Sequence, residues 1–276
     1  EMCIRDSFPP ADDVAARSLE KTVHRLAELD PTFVSITYGA GGSTRDNTRD
    51  LVVDVNTHQR FPAMPHLTCM GHTRDDVATL LVDYRRIGVE NILALGGDPP
   101  ADGSTPAGDY TYASDLLVDV ARAGCFSIGV AAHPEVHPRS PDRATDRRHL
   151  ADKLSVADFA VTQFFFDVEQ WLRLVDELAA LDVHKPVLPG IMPVGNKAQI
   201  ARMAKMSGAE LPGWLLDRLD QTDDPEQVRR IGIDVATQLA ADLLDAGAPG
   251  IHLYTLNRPD TVLQICTDLD LRRSGS

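Results

Sequence analysis

Gln163 ends a short apolar run and is the residue in the chain best suited to bind a polar ligand. It follows residues 160–162 and precedes Phe164, Phe165 and Phe166, which are typical of a protein core. A neutral amide offers both a donor and an acceptor, and this combination can read the edge of a pyrimidinone-type heterocycle. We therefore predict that Gln163 contacts a heterocyclic ligand.

Asp98 is a second candidate for contact with a heterocycle. It follows the strand-like run 91–95 and Gly96-Gly97, and Pro99 and Pro100 come next. A carboxylate held in such a rigid loop can accept hydrogen bonds from the N–H groups of a ring. A turn or helix-capping role is the alternative for a single aspartate, and the sequence leaves both open.

His133 and His137 lie four residues apart, as histidines that bind a metal often do. In a metalloprotease helix, however, glutamate directly follows the first histidine and the helix is unbroken. Here Pro134 follows His133 and would break such a helix. We predict no metal site and assign both histidines to the loop after a strand.

A glycine-rich stretch, residues 38–44, could also bind a ligand. Glycines allow backbone N–H groups to approach a phosphate closely. The stretch lacks the lysine of a P-loop. A plain turn in which Ser43 or Thr44 caps the next helix is an equally good interpretation.

These candidates all lie at the ends of strand-like runs, because such runs throughout the chain end in polar residues or glycine. Segments with helical spacing of apolar residues separate the runs. Alternating strands and helices predict a parallel sheet, and eight such units predict a (β/α)8 TIM barrel whose site lies at the carboxyl ends of the strands. The predicted strands are 33–37, 65–69, 91–98, 127–133, 160–167, 186–191 and 250–255, and the predicted helices are 12–29, 74–87, 112–123, 142–154 and 168–181.

An eighth strand should precede Phe8, although residues 1–7 are poor strand formers, so we expect a first strand that is incomplete or altered. An open doubly wound sheet is the alternative fold, and the absence of a GxGxxG turn disfavours it. Residues 196–226 exceed the length of one crossover helix. They are predicted to form two short helices, 197–206 and 212–219, over part of the barrel mouth.

Composition limits the classes of partner. The net charge of −14 and a pI near 5.0 disfavour nucleic acid and anionic membranes, and the most basic run, 139–148, is interrupted by Asp142 and Asp146. Four scattered cysteines without a CxxC pair suit a reducing cytoplasm. No apolar run reaches the ~18 residues of a membrane helix. We expect one cytoplasmic domain over residues 1–276, and homo-oligomerisation stays open.

Six segments resemble the catalytic domain of methylenetetrahydrofolate reductase: 33–40, 65–69, 130–138, 162–167, 189–194 and 254–258. The resemblance implies a barrel that binds FAD at the carboxyl ends of its strands. It also implies reduction of 5,10-methylenetetrahydrofolate to 5-methyltetrahydrofolate by hydride from NADH or NADPH, in one-carbon and methionine metabolism. The flavin would carry the redox chemistry while the protein supplies placement and electrostatics.

The resemblance also implies roles for individual residues. Asp98 and Gln163 would hold the folate pterin, Asp98 would in addition tune the flavin and favour the reactive substrate cation, and Met203 and Arg258 would line the substrate site. The residues expected at the FAD are Thr37, His66, Gly96, Gly97, Ala131, His133, Asp146 and Lys153.

Two departures from the family pattern fall on functional positions. Asp6 stands where the family has a glutamate that acts as general acid, and its side chain is shorter by ~1.5 Å. We favour a non-native start over residues 1–7 as the explanation. Gly96 stands where the family usually has an arginine near the flavin phosphates, and losing that contact costs about 1.5–3 kcal/mol unless another group replaces it.

These departures define two alternative functions. Gly96 suggests a flavin-free relative that passes hydride directly from NADH to the folate. Asp6 suggests a folate- or flavin-binding barrel that has lost catalysis.

Overall fold

Eight parallel strands close into a barrel in which each strand pairs with its neighbours in sequence. The computed structural model describes residues 2–7, 21–38, 45–97, 107–256 and 258–271, without the side chains of residues 2–7 and 45–47. The predicted (β/α)8 barrel is confirmed. The strands are β1 Met2–Ser7, β2 Phe33–Ile36, β3 Ala63–Thr68, β4 Asn91–Leu95, β5 Ser127–Ala132, β6 Phe159–Phe164, β7 Val187–Ile191 and β8 Ile251–Tyr254.

Helices alternate with these strands, and the predicted helices that can be compared are confirmed to within two residues at each end. The helices are α1 at 21–26, continued by a 3-10 turn Ala27–Leu29, then α2 Arg45–His58, α3 Arg74–Arg86, α4 Ala113–Ala123, α5 Arg143–Leu154, α6 Val168–Ala179, α7 Lys197–Ser207, α8 Gly213–Leu219, α9 Pro225–Asp245 and α10 Pro259–Asp268. Sequence reasoning did not identify α9, the longest described helix. Its start carries a recognisable signal, an Asp224 N-cap followed by Pro225.

The strand expected before Phe8 is present as β1. It closes the barrel by pairing with β8, where Met2 aligns with Ile251, and with β2, where Cys3 aligns with Phe33. Its register against β2 shifts between Ile4 and Ser7, which agrees with an altered first strand. A weak strand former takes the strand conformation here because neighbours on both sides supply hydrogen-bond partners.

Side chains from five strands fill the barrel interior. The layer consists of Phe33, Met64, Leu93, Val161 and Leu188. At Gly129 on β5 a Cβ atom would lie 2.7 Å from the Phe159 ring, so a bulky residue on β6 occupies the space that glycine leaves. This packed interior confines ligands to the ends of the barrel.

A larger core lies between the strands and the surrounding helices, as apolar helix faces require. Tyr84, Leu116 and Leu154 are among its fully buried members. In the described part of the chain, no helix is both long and apolar enough to cross a membrane.

Candidate active site at the barrel mouth

The carboxyl ends of the strands bring most of the predicted site residues to one face of the barrel. Gln163 is on β6, Thr37 follows β2, and Gly96 and Gly97 follow β4. Asp98 and the glycine-rich stretch 39–44 lie outside the described residues, as does the side chain of Asp6, although its backbone belongs to β1.

Gln163 has its amide oxygen engaged by the protein. Oε1 accepts a hydrogen bond from the Phe164 N–H at 3.2 Å and lies 3.2 Å from the hydroxyl of Tyr254. That hydroxyl also lies 3.1 Å from the Thr162 carbonyl oxygen. Across the described residues, the Gln163 Nε2 has no hydrogen-bond partner. The amide is therefore oriented to donate to a ligand rather than to accept from one.

The close approach of β6, β7 and Tyr254 depends on Gly190. Its N–H donates to Thr162 Oγ1 at 2.8 Å. A Cβ at this position would lie 2.3 Å from the Thr162 carbonyl oxygen and 2.8 Å from the Tyr254 ring. Sequence reasoning assigned no role to Gly190 or Tyr254, although a glycine within a strand is a recognised sign of close backbone approach.

An apolar cluster supports Gln163 from behind, and we call it the apolar wall. It joins the ends of β6–β8 to α7, α8 and α9, which confirms that two short helices cover part of the mouth. Phe164 and Phe166 belong to it, and Phe165 to the larger core, as the sequence indicated. The buried members are Phe164, Phe166, Met192, Val194, Ile200, Ala204, Leu215, Leu219, Val228, Val235 and Tyr254.

Met203 and Arg258 lie together at the edge of the apolar wall. They line one cleft together with Tyr254. The Arg258 Nη1 lies 3.7 Å from the position that a Cβ atom on Gly195 would occupy. The two residues predicted to line the substrate site thus share a surface next to the tyrosine that orients Gln163.

Next to the apolar wall, the mouth is bordered by a loop, residues 133–142, which follows β5 and is held by a buried arginine; we call it the clamped loop. The Arg147 guanidinium, only 3% exposed, donates to the carbonyl oxygens of His133 at 2.9 Å, Pro134 at 2.7 Å and Glu135 at 3.0 Å. Because its five N–H donors have fixed directions, one arginine can hold several backbone groups in register.

Carboxylates complete this clamp. Arg147 pairs with Asp146 at 2.6 Å and with Glu177 at 2.7 Å. Asp146 also accepts from the His137 N–H at 3.2 Å and from Ser140 Oγ at 2.9 Å. These bonds commit Asp146 to holding the loop, and sequence reasoning did not identify Arg147 as its partner.

The folded loop disfavours the charged forms of His133 and His137. Their rings are 4.5 Å apart in an edge-to-face arrangement. Burial, and secondarily the neighbouring His137, lowers the pKa of His133 to about 3. Burial also lowers the pKa of His137, with a smaller contribution from the charge of Arg139. The described residues contain no group of three His, Cys, Asp or Glu side chains that could hold a metal ion.

Lys153 and Ala131 are brought together behind the clamped loop. The Lys153 ammonium donates to the Ala131 carbonyl oxygen at 3.0 Å. Burial lowers the pKa of Lys153, and the charge of Asp146 opposes this shift. The predicted cofactor contacts Ala131, His133, Asp146 and Lys153 therefore form one contiguous group.

Next to the clamped loop, on its other side, the ends of β3 and β4 form a narrow recess. Gly97 has a φ of 80°, and a Cβ there would lie 2.9 Å from the Thr68 Cβ, so the position requires glycine. Thr68 Oγ1 is buried and has no hydrogen-bond partner within the described ranges. Sequence reasoning missed Thr68. An unsatisfied buried hydroxyl beside His66 on the same strand is a group that a polar ligand can satisfy.

A closed parallel barrel with hydrogen-bonding groups gathered at the carboxyl ends of its strands defines a (β/α)8-barrel protein with a ligand site at that face. The methylenetetrahydrofolate reductase family model matches residues 4–270, and the chain belongs to this family.

Sequence relatives extend over nearly the whole chain. A 5,10-methylenetetrahydrofolate reductase from Pectobacterium carotovorum subsp. carotovorum is 37% identical over 96% of this chain and 89% of its own length. The enzyme of the same name from Escherichia coli (strain K12) is 36% identical over the same shares.

One solved structure has the same fold with little sequence similarity. It is an uncharacterised protein from Clostridium thermocellum that binds two copies of 5-methyl-5,6,7,8-tetrahydrofolic acid. It aligns with a TM-score of 0.68 at 15% identity, covering 98% of this chain and 94% of its own.

Proposed function

We propose that this protein reduces 5,10-methylenetetrahydrofolate to 5-methyltetrahydrofolate with electrons from NADH or NADPH, through bound FAD. The observation that carries the proposal is membership of the methylenetetrahydrofolate reductase family over residues 4–270. The reaction adds one hydride and one proton to the substrate and leaves the oxidised nicotinamide dinucleotide. The protein must therefore position a heterocycle, a hydride carrier and a proton donor.

Gln163 is the residue we assign to the folate pterin. Its amide oxygen is held by Tyr254 and by the Phe164 N–H, so its NH2 group would donate to the pterin carbonyl oxygen. Asp98 would accept from the N–H groups of the same ring, and Met203 and Arg258 would line the remainder of the substrate. A fixed donor orients the substrate before reaction, which lowers the entropic part of the barrier.

Asp6 is the candidate proton donor because it lies on β1, which closes the barrel between β2 and β8. Its proton would go to the folate nitrogen from which the methylene carbon separates when the five-membered ring opens.

The residues at the mouth fit a phosphate-bearing dinucleotide such as FAD. The recess at Gly97 admits close backbone approach, Thr68 Oγ1 is a buried hydroxyl without a partner among the described residues, and Lys153 supplies a cation. When bound, FAD accepts and returns two electrons as hydride. The residues that would hold it are Thr37, His66, Gly96, Gly97, Ala131, His133, Asp146 and Lys153, of which Asp146 would act by fixing the clamped loop.

Two alternatives follow from particular residues. Because Gly96 cannot contribute a charge, a flavin-free relative that transfers hydride directly from NADH to the folate is the second candidate. Because Asp6 is shorter than glutamate, a folate- or flavin-binding barrel without catalysis is the third.

An absorption spectrum of the purified protein separates these functions. Flavin bands near ~450 nm that bleach under anaerobic NADH would support the flavoenzyme. A colourless protein that oxidises NADH only when methylenetetrahydrofolate is added would favour direct transfer. A colourless protein that stays inactive with added FAD would favour the impaired barrel.

The Gln163→Ala variant tests the pterin contact. Removing the NH2 donor should lower kcat/KM for folate reduction by ~10-fold or more, while reduction by NADH stays near the parent rate, because only the folate half-reaction uses this donor. Stopped-flow measurement of the two half-reactions gives both values. Gln238→Ala is the matched control, since Gln238 lies on α9 and its amide contacts Asp242. Equal losses in both half-reactions would contradict the assignment.

A further inference from the structure

The Arg139 guanidinium lies next to Gly96, where a side chain is missing. If Gly96 carried a Cβ atom, that atom would lie 3.7 Å from the Arg139 Nη2, which is ordinary van der Waals contact. The φ of Gly96 is outside the left-handed region, unlike the φ of 80° at Gly97. The backbone conformation at residue 96 therefore does not require glycine. The missing side chain leaves a space that the Arg139 guanidinium borders.

The backbone of Arg139 is fixed by the clamped loop. Its N–H donates to His137 Nδ1 at 3.0 Å, and the next residue, Ser140, donates from its N–H to the His137 carbonyl oxygen at 2.8 Å. Arg147 and Asp146 hold this loop from beneath. The guanidinium therefore extends from an anchored turn and is directed to one part of the mouth.

Arg139 has no acidic partner in the part of the chain that the structure describes. Arg143 and Arg147 both pair with Glu177, whereas no Asp or Glu among the described residues forms an ion pair or side-chain hydrogen bond with Arg139. The chain has 41 acidic and 27 basic residues. A guanidinium at a ligand-binding mouth that pairs with no carboxylate of the described residues, in so acidic a protein, is available to bind an anion.

We propose that Arg139 binds the pyrophosphate of the dinucleotide at the mouth, across the space left by Gly96. Guanidinium groups pair with phosphate oxygens in a bidentate manner, which supplies both charge and direction. Lys153, at the Ala131 carbonyl on the same β5–α5 unit, adds a second cation. This inference rests on the proposed function. The phosphate contact that the family pattern places at position 96, after β4, is made instead by Arg139 from the loop after β5.

The experiment measures binding of FAD, NADH and riboflavin to flavin-stripped protein by calorimetry or fluorescence. Arg139→Ala should weaken binding of the dinucleotide by about tenfold, the lower end for a charge-assisted contact because the arginine is exposed. Riboflavin, which has no phosphate, should bind as to the parent. If only the affinity for FAD falls, the pyrophosphate that Arg139 binds is that of FAD. If only the affinity for NADH falls, it is that of the nicotinamide dinucleotide.

Two further variants keep the test independent of folding. Arg148→Ala is the matched control, because Arg148 is exposed on α5 and its guanidinium contacts Thr145. Adding Gly96→Arg to Arg139→Ala should return dinucleotide binding to within about threefold of the parent, because a guanidinium is then supplied from β4. Arg139→Lys should give an intermediate loss.

Unchanged binding of both dinucleotides to Arg139→Ala, or equal weakening of riboflavin, would overturn the inference. Failure of the proposed function looks different: the parent protein would then neither reduce methylenetetrahydrofolate nor distinguish FAD from riboflavin. If the parent is active and Arg139→Ala binds both dinucleotides as the parent does, only the assignment of Arg139 is rejected.

Discussion

The two sides of the barrel mouth are stabilised by opposite kinds of interaction. The clamped loop depends on one buried arginine, Arg147, that bonds to three backbone carbonyls and two carboxylates. The apolar wall depends on packed aromatic and aliphatic side chains, with Tyr254 as its polar contact to Gln163. The clamped loop, with its charged and fixed side chains, is suited to a phosphate. The apolar wall, with one oriented amide at Gln163, is suited to a flat neutral heterocycle.

The difference predicts how each side responds to mutation. In a buried ionic network, removing one member leaves its partners desolvated and unpaired, so the loss is large and concentrated. In a packed wall, the loss depends on how far neighbours can adjust, and it is spread over many contacts. Substitutions on each side can test this contrast.

The largest effect is expected for Arg147→Ala. Its removal leaves Asp146 and Glu177 without their buried partner and three loop carbonyls without a donor, so the free energy of unfolding should fall by ~3–5 kcal/mol. Chemical denaturation measures this value. Arg173→Ala is the control, since Arg173 pairs with the same Glu177 but its side chain is 62% exposed, and its loss should be below ~1 kcal/mol. Similar values for the two variants would contradict the clamp.

Gly190→Ala should have the second largest effect, now on the apolar wall. The added methyl group meets the Thr162 carbonyl oxygen at 2.3 Å, so β6 and β7 must separate and displace Tyr254, at a cost of ~1–3 kcal/mol. Folate turnover should fall with stability. Gly213→Ala provides the comparison, because no atom lies within 4 Å of its Cβ. An unchanged melting temperature for Gly190→Ala would show that the strands are packed more loosely.

Tyr254→Phe separates orientation from packing on the same wall. The ring stays, but the hydroxyl that holds Gln163 Oε1 is lost, at about 1 kcal/mol for a neutral hydrogen bond. We expect KM for the folate to rise by about fivefold with little change in reduction by NADH. Tyr110→Phe is the control, since it removes a hydroxyl that donates to Asp119. A rise in KM for NADH of equal size would reject a folate-side role.

Most of the fold could be predicted from the sequence because local patterns determine it. Strand runs alternate with helical periodicity, and Gly88, with a φ of 78°, follows the end of α3. α9 was missed although its buried residues recur at helical spacing, from Val228 through Gly232 to Leu243, so its signal was present in the sequence. β1 shows the other limit, since a weak strand former becomes a strand only through partners on β2 and β8.

The site could be predicted where a residue type is unusual for its position, and not where its role comes from a distant contact. Gln163 is conspicuous in an apolar run, but its partner Tyr254 lies 91 residues later. Arg147 looks like one of several basic residues on α5 until the fold brings it under the carbonyls of the loop. Thr68 is an ordinary strand residue, and that its buried hydroxyl has no partner in the described ranges becomes evident only with its neighbours in place.

An effect of a different kind is expected in acid, and it belongs to the clamped loop alone. The pKa of His133 is lowered to about 3 by burial, whereas an unfolded chain binds this proton near a pKa of 6.5. Between these values the unfolded state holds a proton that the folded state lacks, so stability falls as pH falls, by at most ~1.4 kcal/mol per pH unit for one proton. His133→Gln should therefore lose less stability than the parent between pH 7 and ~5, measured by denaturation at each pH. His149→Gln, at an exposed position on α5, serves as the control and should follow the parent. If His133→Gln also follows the parent, the imidazole takes up its proton in the folded loop, and the loop is more open to water than the neighbouring apolar wall.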